Sequence, residues 1–267
     1  MRFRILAAVL AALLVCGCSR GAEEKPLTPQ ALIERAGAGD ARARCALGLL
    51  YLRGQGVEQS DVEAARWIRL AADQGLASAQ YELARMYEQG RGVPGDEPWE
   101  ALRWLFAAAR QGHAPAQLEL GRVYLAGKGA EPDPAEAAKW LEQAAAQGQA
   151  EAQTLLAGLY LSGEGVARDG ARAGHWFRAA AEQGDPKAMY ELGRIFAGGR
   201  LAPQDLAEAY MWFTLAAERG QEEARLALEQ LNRNLDEKVR GEALGLAARW
   251  RSARSEEHTS ELQSHSF

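Results

Sequence analysis

The sequence is poor in the residues that build cross-linked or metal-bound proteins. It has 3 cysteines and 4 histidines among 267 residues, and no two cysteines stand in a CxxC motif. No spacing of cysteine and histidine is typical of a zinc site either. These absences exclude a disulfide framework of the kind found in small secreted scaffolds, and we expect neither a metal nor a cofactor.

An excess of positive charge is also missing. Lysine and arginine total 31 against 36 aspartates and glutamates, which gives a net charge of −5. Nucleic-acid binding needs a basic surface, so we do not expect nucleic acid as a partner. Aromatic residues make up only 7% of the chain, whereas apolar residues reach 48% because alanine is abundant. Alanine is the strongest helix former, so this composition favours an all-α fold.

Long hydrophobic runs are absent as well. The apolar run Ile5–Val15 has eleven residues, whereas a membrane-spanning helix needs about 20. The run follows Arg2 and Arg4 and is succeeded by small residues, an order typical of a secretory signal peptide.

The sequence does contain a motif that recurs at a nearly fixed interval. "GLLYLRGQGV" at residues 48–57 recurs as "ARMYEQGRGV", "GRVYLAGKGA", "AGLYLSGEGV" and, in changed form, "GRIFAGGRLA". Tryptophan and glycine form two columns with separations of 37, 36, 36 and 36 residues, and an aromatic series accompanies them. This register predicts five copies of one structural unit. The three series are Trp67, Trp104, Trp140, Trp176 and Trp212; Gly75, Gly112, Gly148, Gly184 and Gly220; and Tyr51, Tyr87, Tyr124, Tyr160 and Phe196.

Each unit is predicted to form two helices joined by a tight corner. Helix A carries an apolar stripe, and a G-x-G motif ends it because glycine accepts the left-handed backbone of a helix terminus. A column of serine and aspartate then predicts the N-cap of helix B. One hairpin cannot bury its own apolar face, so the copies are expected to stack into an α-solenoid. The N-cap column is Ser60, Asp96, Asp133, Asp169 and Asp205.

The segment "ARARCALGLLYLRGQGVEQSDVEAARWIRLAADQG" resembles the Sel1-like repeat, a relative of the tetratricopeptide repeat. The resemblance implies an all-α fold, a right-handed α/α superhelical solenoid of about five helical hairpins. Residues 31–39 are predicted to form an N-terminal capping helix and residues 222–253 C-terminal capping helices, which cover the apolar ends. The five repeats span residues 40–221, divided into 40–76, 77–113, 114–149, 150–185 and 186–221.

The stretch "VCGC" at residues 15–18 resembles the lipobox of bacterial lipoproteins. In that family, cleavage precedes a cysteine that becomes lipidated. The resemblance implies a signal peptide over residues 1–17, lipid attachment at Cys18 and a flexible linker over residues 18–30. Ser19, in place of aspartate, favours the outer membrane, where the chain would face the periplasm. Secretion without a lipid, with a free thiol at Cys18, is the alternative.

Residues 254–267 depart from every pattern in the rest of the chain. They are polar and lack an apolar stripe. The stretch 254–264 resembles a common sequencing-library adapter translated in frame. We therefore assign residues 254–267 to an adapter-derived artefact and leave them out of the functional interpretation. An ordinary disordered tail is the alternative.

No constellation of residues is typical of catalysis. His113 and His175 are 62 residues apart in units that are not adjacent, and each is predicted to be a surface or packing residue. Cys45 occupies a helix position typical of a small core or groove residue. The carboxylates fall on solvated helix faces, and nothing pairs two of them for acid–base work. We therefore predict a protein that is not an enzyme and takes no small-molecule substrate.

The partner-binding surface is predicted by resemblance to tetratricopeptide solenoids, in which the A helices line the concave groove. Tyrosine and arginine are the residues that interfaces favour as energetic anchors. We predict that Tyr81, Arg85, Arg122, Tyr190 and Arg194 receive an acidic or extended peptide segment. The two groove columns are Cys45, Tyr81, Leu118, Thr154 and Tyr190, and, one turn later, Leu49, Arg85, Arg122, Gly158 and Arg194.

Each groove arginine has an alternative role. Glu82, Glu119 and Glu191 stand three residues before the arginines of their helices, so each arginine could serve only an ion pair with its neighbour. The tryptophan column is predicted to be core. Trp99 is out of register beside Pro98 in a loop, which makes it a secondary contact candidate.

We predict a non-catalytic scaffold that is anchored by lipid and binds other proteins of the bacterial cell envelope. Lipoproteins with such repeats include assembly factors for exopolysaccharide secretion machines. Support for the assembly of a secretion or exopolysaccharide complex is therefore the narrower expectation. The alternatives are a glycan-binding module on peptidoglycan, which needs exposed groove aromatics, and a secreted effector that acts on a host.

Overall fold

The computed structural model describes residues 29–94, 98–199 and 203–264, and within these ranges it contains thirteen helices and no strand. The predicted signal peptide, Cys18 and nearly all of the predicted linker lie outside the described residues. The helices are α1 Pro29–Gly37, α2 Ala41–Arg53, α3 Asp61–Asp73, α4 Ala77–Glu88, α5 Pro98–Arg110, α6 Ala114–Ala126, α7 Pro134–Ala146, α8 Ala150–Ser162, α9 Gly170–Glu182, α10 Pro186–Gly198, α11 Leu206–Glu218, α12 Glu222–Asn232 and α13 Glu237–Ser264.

The chain divides into two compact units between Ala144 and Ala145, near the end of α7. The first unit holds α1 and the hairpins α2–α3, α4–α5 and α6–α7. The second holds the hairpins α8–α9 and α10–α11, followed by α12 and α13. Each hairpin is one copy of the repeat, with helix A first and helix B second. The prediction of an all-α chain built from five helical hairpins is confirmed.

Helix B begins where the serine and aspartate column predicts. The Ser60 side chain accepts a hydrogen bond from the backbone N–H of Glu63 at 3.2 Å. Asp133, Asp169 and Asp205 cap α7, α9 and α11 in the same way. Asp96, the remaining member of the column, lies outside the described residues. Each of these bonds satisfies a backbone donor that the first turn of a helix leaves unpaired.

The first glycine of the corner caps α2, α6, α8 and α10, whereas α4 ends one residue earlier and is capped by Gln89. Gly54 adopts a left-handed backbone with φ of 63°, and its N–H donates to the carbonyl of Leu50. Gly163 does the same in the second unit, with φ of 81° and a bond to the carbonyl of Leu159. The glycines therefore turn the chain from helix A toward helix B, and no phosphate-binding role needs to be invoked for them.

The two helices of a hairpin approach closely at a small residue of helix A. A Cβ atom added to Gly121 would lie 2.6 Å from the side chain of Leu141, and one added to Gly193 would lie 2.5 Å from the ring of Phe213. Real Cβ atoms do not approach other carbon atoms this closely, so the packing of these hairpins requires glycine at both positions.

A series of side-chain amides links consecutive helices. Gln80, Gln117 and Gln153 each donate to a backbone carbonyl eight residues earlier, at 3.2, 3.1 and 3.1 Å. These carbonyls belong to Ala72, Ala109 and Ala145, in the last turns of the preceding B helices. We call this series the amide ladder. Each of these carbonyls also accepts the backbone N–H of a glycine three residues later, so the ladder adds a second hydrogen bond that ties the next A helix to this terminus.

In the second and fourth repeats the ladder is extended by the glutamine that follows helix B. Gln111 donates to the side-chain carbonyl of Gln80 at 2.7 Å, and Gln183 donates to that of Gln153 at 2.8 Å. In the fifth copy, the positions equivalent to Gln153 and Gln183 hold Met189 and Arg219. The guanidinium of Arg219 lies over the ring of Trp250 on α13, at 5.0 Å from its centroid, so a different contact ends the array.

Helices cover both ends of the repeats. The predicted N-terminal capping helix is present but spans Pro29–Gly37, where residues 31–39 were expected, and its Leu32 is fully buried. At the other end, the Trp250 ring packs edge-on against the buried Trp212 at 6.2 Å. Helix α13 continues to Ser264, past the predicted boundary at residue 253. The adapter origin of residues 254–267 stays a prediction.

None of the helices in the described part of the chain is both long enough and apolar enough to span a membrane. The longest of them, α13, has 28 residues but is polar on average.

Two glycines of the second unit provide a matched test of the hairpin packing. Gly193→Ala places a Cβ against Phe213 and is expected to destabilise the fold by about 1–3 kcal/mol, as overpacked cores do. Gly158→Ala changes another A-helix glycine that has no atom within 4 Å of its Cβ position, so it should stabilise by about 0.5–1 kcal/mol. Thermal unfolding followed by circular dichroism should therefore shift in opposite directions. A rise in Tm for both variants would contradict the close approach of α10 and α11.

Candidate functional site

The first unit brings together three of the predicted partner-binding residues. Tyr81 and Arg85 lie on α4, and the guanidinium of Arg85 is 5.8 Å from the centroid of the Tyr81 ring. Burial raises the pKa of the half-buried Tyr81, and the pKa responds electrostatically both to Arg85 and to Arg122 on α6. We call these three residues the arginine stripe. Because consecutive A helices carry its members, the stripe crosses from the second repeat to the third.

Each arginine of the stripe also forms the ion pair that was weighed as its alternative role. Arg85 contacts Glu82 at 3.3 Å, and Arg122 contacts Glu119 at 2.5 Å. Glu82 is buried, and its pKa is raised by that burial. The Arg85 side chain keeps 46% of its surface exposed, so the ion pair orients this cation without removing it from solvent.

A cavity of about 600 Å³ adjoins the stripe between α4, α5 and α6. The repeat pattern in the sequence did not predict this cavity, because the cavity is formed by side chains from three helices and not by any one column of the repeat. Arg85 and Arg122 line it, together with Glu88, Glu119 and Lys128. The apolar part of its lining is made of Ala84, Ala101, Leu102, Leu105, Val123 and Ala126.

The second unit repeats the tyrosine–arginine pair. The guanidinium of Arg194 lies 5.8 Å from the Tyr190 ring centroid, the same separation as in the first unit. Arg194 contacts Glu191 at 3.1 Å, and Tyr190 packs against the buried Phe213 at 5.7 Å between ring centroids. Tyr190 is thus half-buried by the core of its own hairpin, whereas Arg194 remains exposed.

A second cavity, of about 570 Å³, lies between α9 and α10. Its lining includes Gly174, Arg178, Ile195 and Phe196. In the second repeat, Leu102 and Phe106 stand at the columns of Gly174 and Arg178. The smaller glycine and the exposed arginine leave the space over α10 open.

Four other members of the predicted groove columns are not available to a partner. Leu49, Leu118 and Thr154 are buried, and Cys45 is both fully buried and disulfide-bonded. Their assignment to the groove is therefore wrong. These residues do occupy equivalent positions of their repeats, but their side chains pack against neighbouring helices, as expected on a helix that is covered on several sides.

The tryptophans also differ in part from expectation. In the tryptophan column, Trp104 and Trp212 are buried, whereas the other three members are half-buried. Trp99 is 57% exposed as predicted, but it lies in the first turn of α5 and not in a loop. There the guanidinium of Arg103 lies 5.8 Å from its ring. Proline at position 98 suits the start of a helix, which explains why the helix begins earlier than expected.

The two histidines have packing and surface roles. His113 caps α6, since its Nδ1 accepts the backbone N–H of Ala116 at 3.4 Å, and its ring lies 4.9 Å from that of Tyr81. His175 is exposed beside Trp176, at 5.0 Å between rings. Within residues 29–94, 98–199 and 203–264, no three histidine, cysteine, aspartate or glutamate side chains are grouped as a metal site would require.

Repeated helical hairpins with these columns define a class of repeat protein, and the family follows from direct comparison. The Sel1 repeat profile matches five consecutive segments, which together make up more than half of the chain. The chain therefore belongs to the Sel1 repeat family, whose members are generally protein-interaction scaffolds. The matched segments are 41–76, 77–113, 114–149, 150–185 and 186–221.

Two solved structures resemble the chain over most of its length. One is c5321, a protective antigen present in uropathogenic Escherichia coli strains and displaying an SLR fold; it is 30% identical with a TM-score of 0.76. The alignment covers 95% of this chain but only 54% of c5321, so the chain spans about half of that antigen. The other, a Sel1 repeat protein from Oxalobacter formigenes, is 29% identical with a TM-score of 0.71, covering 90% of this chain and 96% of that protein. No curated protein is similar enough to count as a match.

The cap formed by His113 predicts a pH dependence of stability. Burial lowers the pKa of His113, so the folded state binds this proton less readily than the unfolded state, where the pKa is about 6.5. The stability that His113 contributes is present above that value and is lost as the pH falls toward its folded pKa. We expect the Tm of the wild type to fall more steeply between pH 7.5 and pH 5.5, which flank this value, than that of His113→Asn.

His113→Asp serves as a second control, because Asp40 and Asp185 cap α2 and α10 at the same position of their repeats. Carboxylates elsewhere titrate equally in all three proteins, so the difference between their Tm profiles isolates the histidine. Parallel profiles for the three proteins would contradict a neutral His113 cap.

Proposed function

We propose that the chain is a non-catalytic scaffold of the bacterial cell envelope that binds acidic segments of other envelope proteins through the arginine stripe. The observation that carries this proposal is the alignment of Tyr81, Arg85 and Arg122 across two repeats, beside an apolar cavity. Tyrosine and arginine dominate binding energy at protein interfaces because they combine contact area with directional hydrogen bonds. Tyr190 and Arg194 offer a second contact patch of the same chemistry.

The charge of the stripe supports an acidic partner. The whole chain carries a net charge of −5, yet Arg85, Arg122 and Lys128 cluster in the cavity lining beside Glu88 and Glu119, and the carboxylate that pairs with Arg85, Glu82, is buried. A guanidinium has five N–H donors, and the bonds from Arg85 to Glu82 use Nη1 alone. An incoming carboxylate can therefore be bound while the ion pair along α4 stays in place.

We further propose that the chain is anchored to the outer membrane, facing the periplasm, through a lipid on Cys18. The basic residues, short apolar run and "VCGC" at the start of the sequence support this placement. Several acyl chains hold a protein on a membrane far more firmly than one does. An anchored scaffold of this kind would support the assembly of a secretion or exopolysaccharide complex, which is the narrower form of the proposal.

Lipidation has a chemical consequence at Cys45. A mature lipoprotein beginning at Cys18 has lost Cys16 and carries a thioether on Cys18, and the chain has only 3 cysteines. In the lipidated form Cys45 is therefore the one cysteine that keeps a thiol. Alkylation of Cys45 thus reports on the anchor.

A capture experiment tests the scaffold role. The full chain and a variant with Arg85→Glu, Arg122→Glu and Arg194→Glu are immobilised and exposed to a native envelope extract. We expect at least one envelope protein to be retained by the wild type and lost from the variant, because reversing three cations repels an acidic segment. Bound proteins are identified by mass spectrometry.

The matched control variant carries Arg66→Glu, Lys139→Glu and Arg225→Glu. These three cations also pair with a carboxylate three residues earlier, on α3, α7 and α12, so the control loses the same charge and the same number of ion pairs. Retention of the protein by this control attributes the loss to the stripe. Equal recovery on all three baits would contradict the proposed surface, and retention of murein fragments alone would favour the glycan-binding alternative.

Metabolic labelling with an alkyne fatty acid tests the anchor. We expect label on the wild type and none on Cys18→Ser, with Cys45 of the labelled protein alkylated by iodoacetamide after denaturation. Cys45→Ser should keep its label and serves as the control for loss of a cysteine. An unlabelled wild type with a protected Cys45 would contradict lipidation.

That outcome would favour the second candidate function, a secreted protein that acts on a host. The observation that favours it is the similarity to c5321, which is a protective antigen of uropathogenic strains.

A further inference from the structure

We infer that the acidic partner segment inserts an apolar side chain into the cavity between α4, α5 and α6, while a neighbouring carboxylate of the segment binds Arg85 and Arg122. This inference rests on the proposed scaffold function and specifies the partner that the stripe accepts. It distinguishes a segment that carries an apolar anchor beside an acidic residue from one that is merely acidic.

The cavity has the size and lining for such an anchor. Its volume of about 600 Å³ lies in the range of pockets that bury small ligands. Leu105 and Ala84 in its wall are buried, whereas Leu102 is half-buried and Ala126 is exposed at the rim. An apolar side chain that enters the cavity is removed from water on contact with these groups, which is the main source of affinity for an anchor residue.

The equivalent place in the first hairpin is bridged by the protein itself. There Arg91 contacts Asp61 at 2.6 Å, which ties the loop after α4 to the start of α3. In the next repeat Lys128 stands in the column of Arg91, and it lines the cavity.

The cations at the border of the cavity determine which partner residue is favoured next to the apolar anchor. Arg85 and Arg122 stand on consecutive A helices at the border of the apolar lining, and Lys128 adds a third cation near the rim. A carboxylate next to the anchor residue thus meets guanidinium groups from two helices, each oriented by an ion pair along its own helix. The favoured sequence in a partner is an aliphatic or aromatic residue directly flanked by aspartate or glutamate.

A phage-displayed library of random dodecapeptides, panned on the full chain in detergent, tests the inference. We expect a consensus with an apolar residue next to a carboxylate. A synthetic peptide of that consensus should bind at least about tenfold more weakly when the apolar residue is replaced by serine, since the burial of one side chain is lost. Fluorescence anisotropy measures the affinities.

Filling the cavity should have the same effect as shortening the anchor. Ala126→Trp occupies the rim from an exposed position, and Ala101→Leu fills the cavity from α5. Each variant should bind the consensus peptide about tenfold more weakly than the wild type, or weaker still. The control is Ala135→Trp, an exposed residue of α7 in the column where the second repeat naturally carries Trp99. The control should bind like the wild type, and circular dichroism should show all three variants folded.

The outcomes separate this inference from the proposed function. If the consensus is acidic without an apolar residue, or if folded Ala126→Trp and Ala101→Leu bind as the wild type does, the anchor is wrong while the arginine stripe stands. If no peptide is enriched, or if the consensus peptide binds equally to the Arg85→Glu, Arg122→Glu variant, the acidic-segment function fails and the inference fails with it.

Discussion

The close approach of helix A and helix B within each hairpin is the contact on which the rest of the structure depends. Where glycine stands at the contact, as at Gly121, the side chain of Leu141 occupies the space that a Cβ atom would need. This contact buries one face of helix A. The remaining faces contact the next hairpin or the solvent. The arginine stripe lies on the solvent side, so the packing that holds the hairpin also decides which residues a partner can reach.

Local features of the fold were predictable because the physics behind them is local. The N-cap at Ser60 and the left-handed glycine at Gly54 each involve hydrogen bonds within a few residues, and a spacing pattern contains that information. The same holds for the tyrosine–arginine pairs, since residues four apart on a helix lie on one face. Placing Arg85 beside Tyr81 required only helical geometry, and the structure shows the two side chains in contact range.

Features that depend on several helices were not predictable in the same way. Leu118 and Thr154 share a column with Tyr81, yet they are buried, because burial is decided by the size of side chains on the neighbouring helices. The cavity beside Arg122 depends on three helices and has no signature in any one column. The amide ladder did leave a signal, the recurrence of glutamine at Gln80, Gln117 and Gln153, but an isolated polar column is also what a solvated helix face would show.

The amide ladder bears on how the gene for such an array can change in length. If residues 114–149 were deleted, Gln153 would stand eight residues after Ala109 and could donate to its carbonyl as Gln117 now does. Unequal crossing-over between interior repeats is therefore expected to yield a shorter or longer protein in which the ladder bonds can form again. The fifth copy is exempt from this exchange, because Met189 and Arg219 supply neither amide of the ladder. We therefore expect repeat number to vary in the interior of such arrays, with the last copy and its terminal helices kept together.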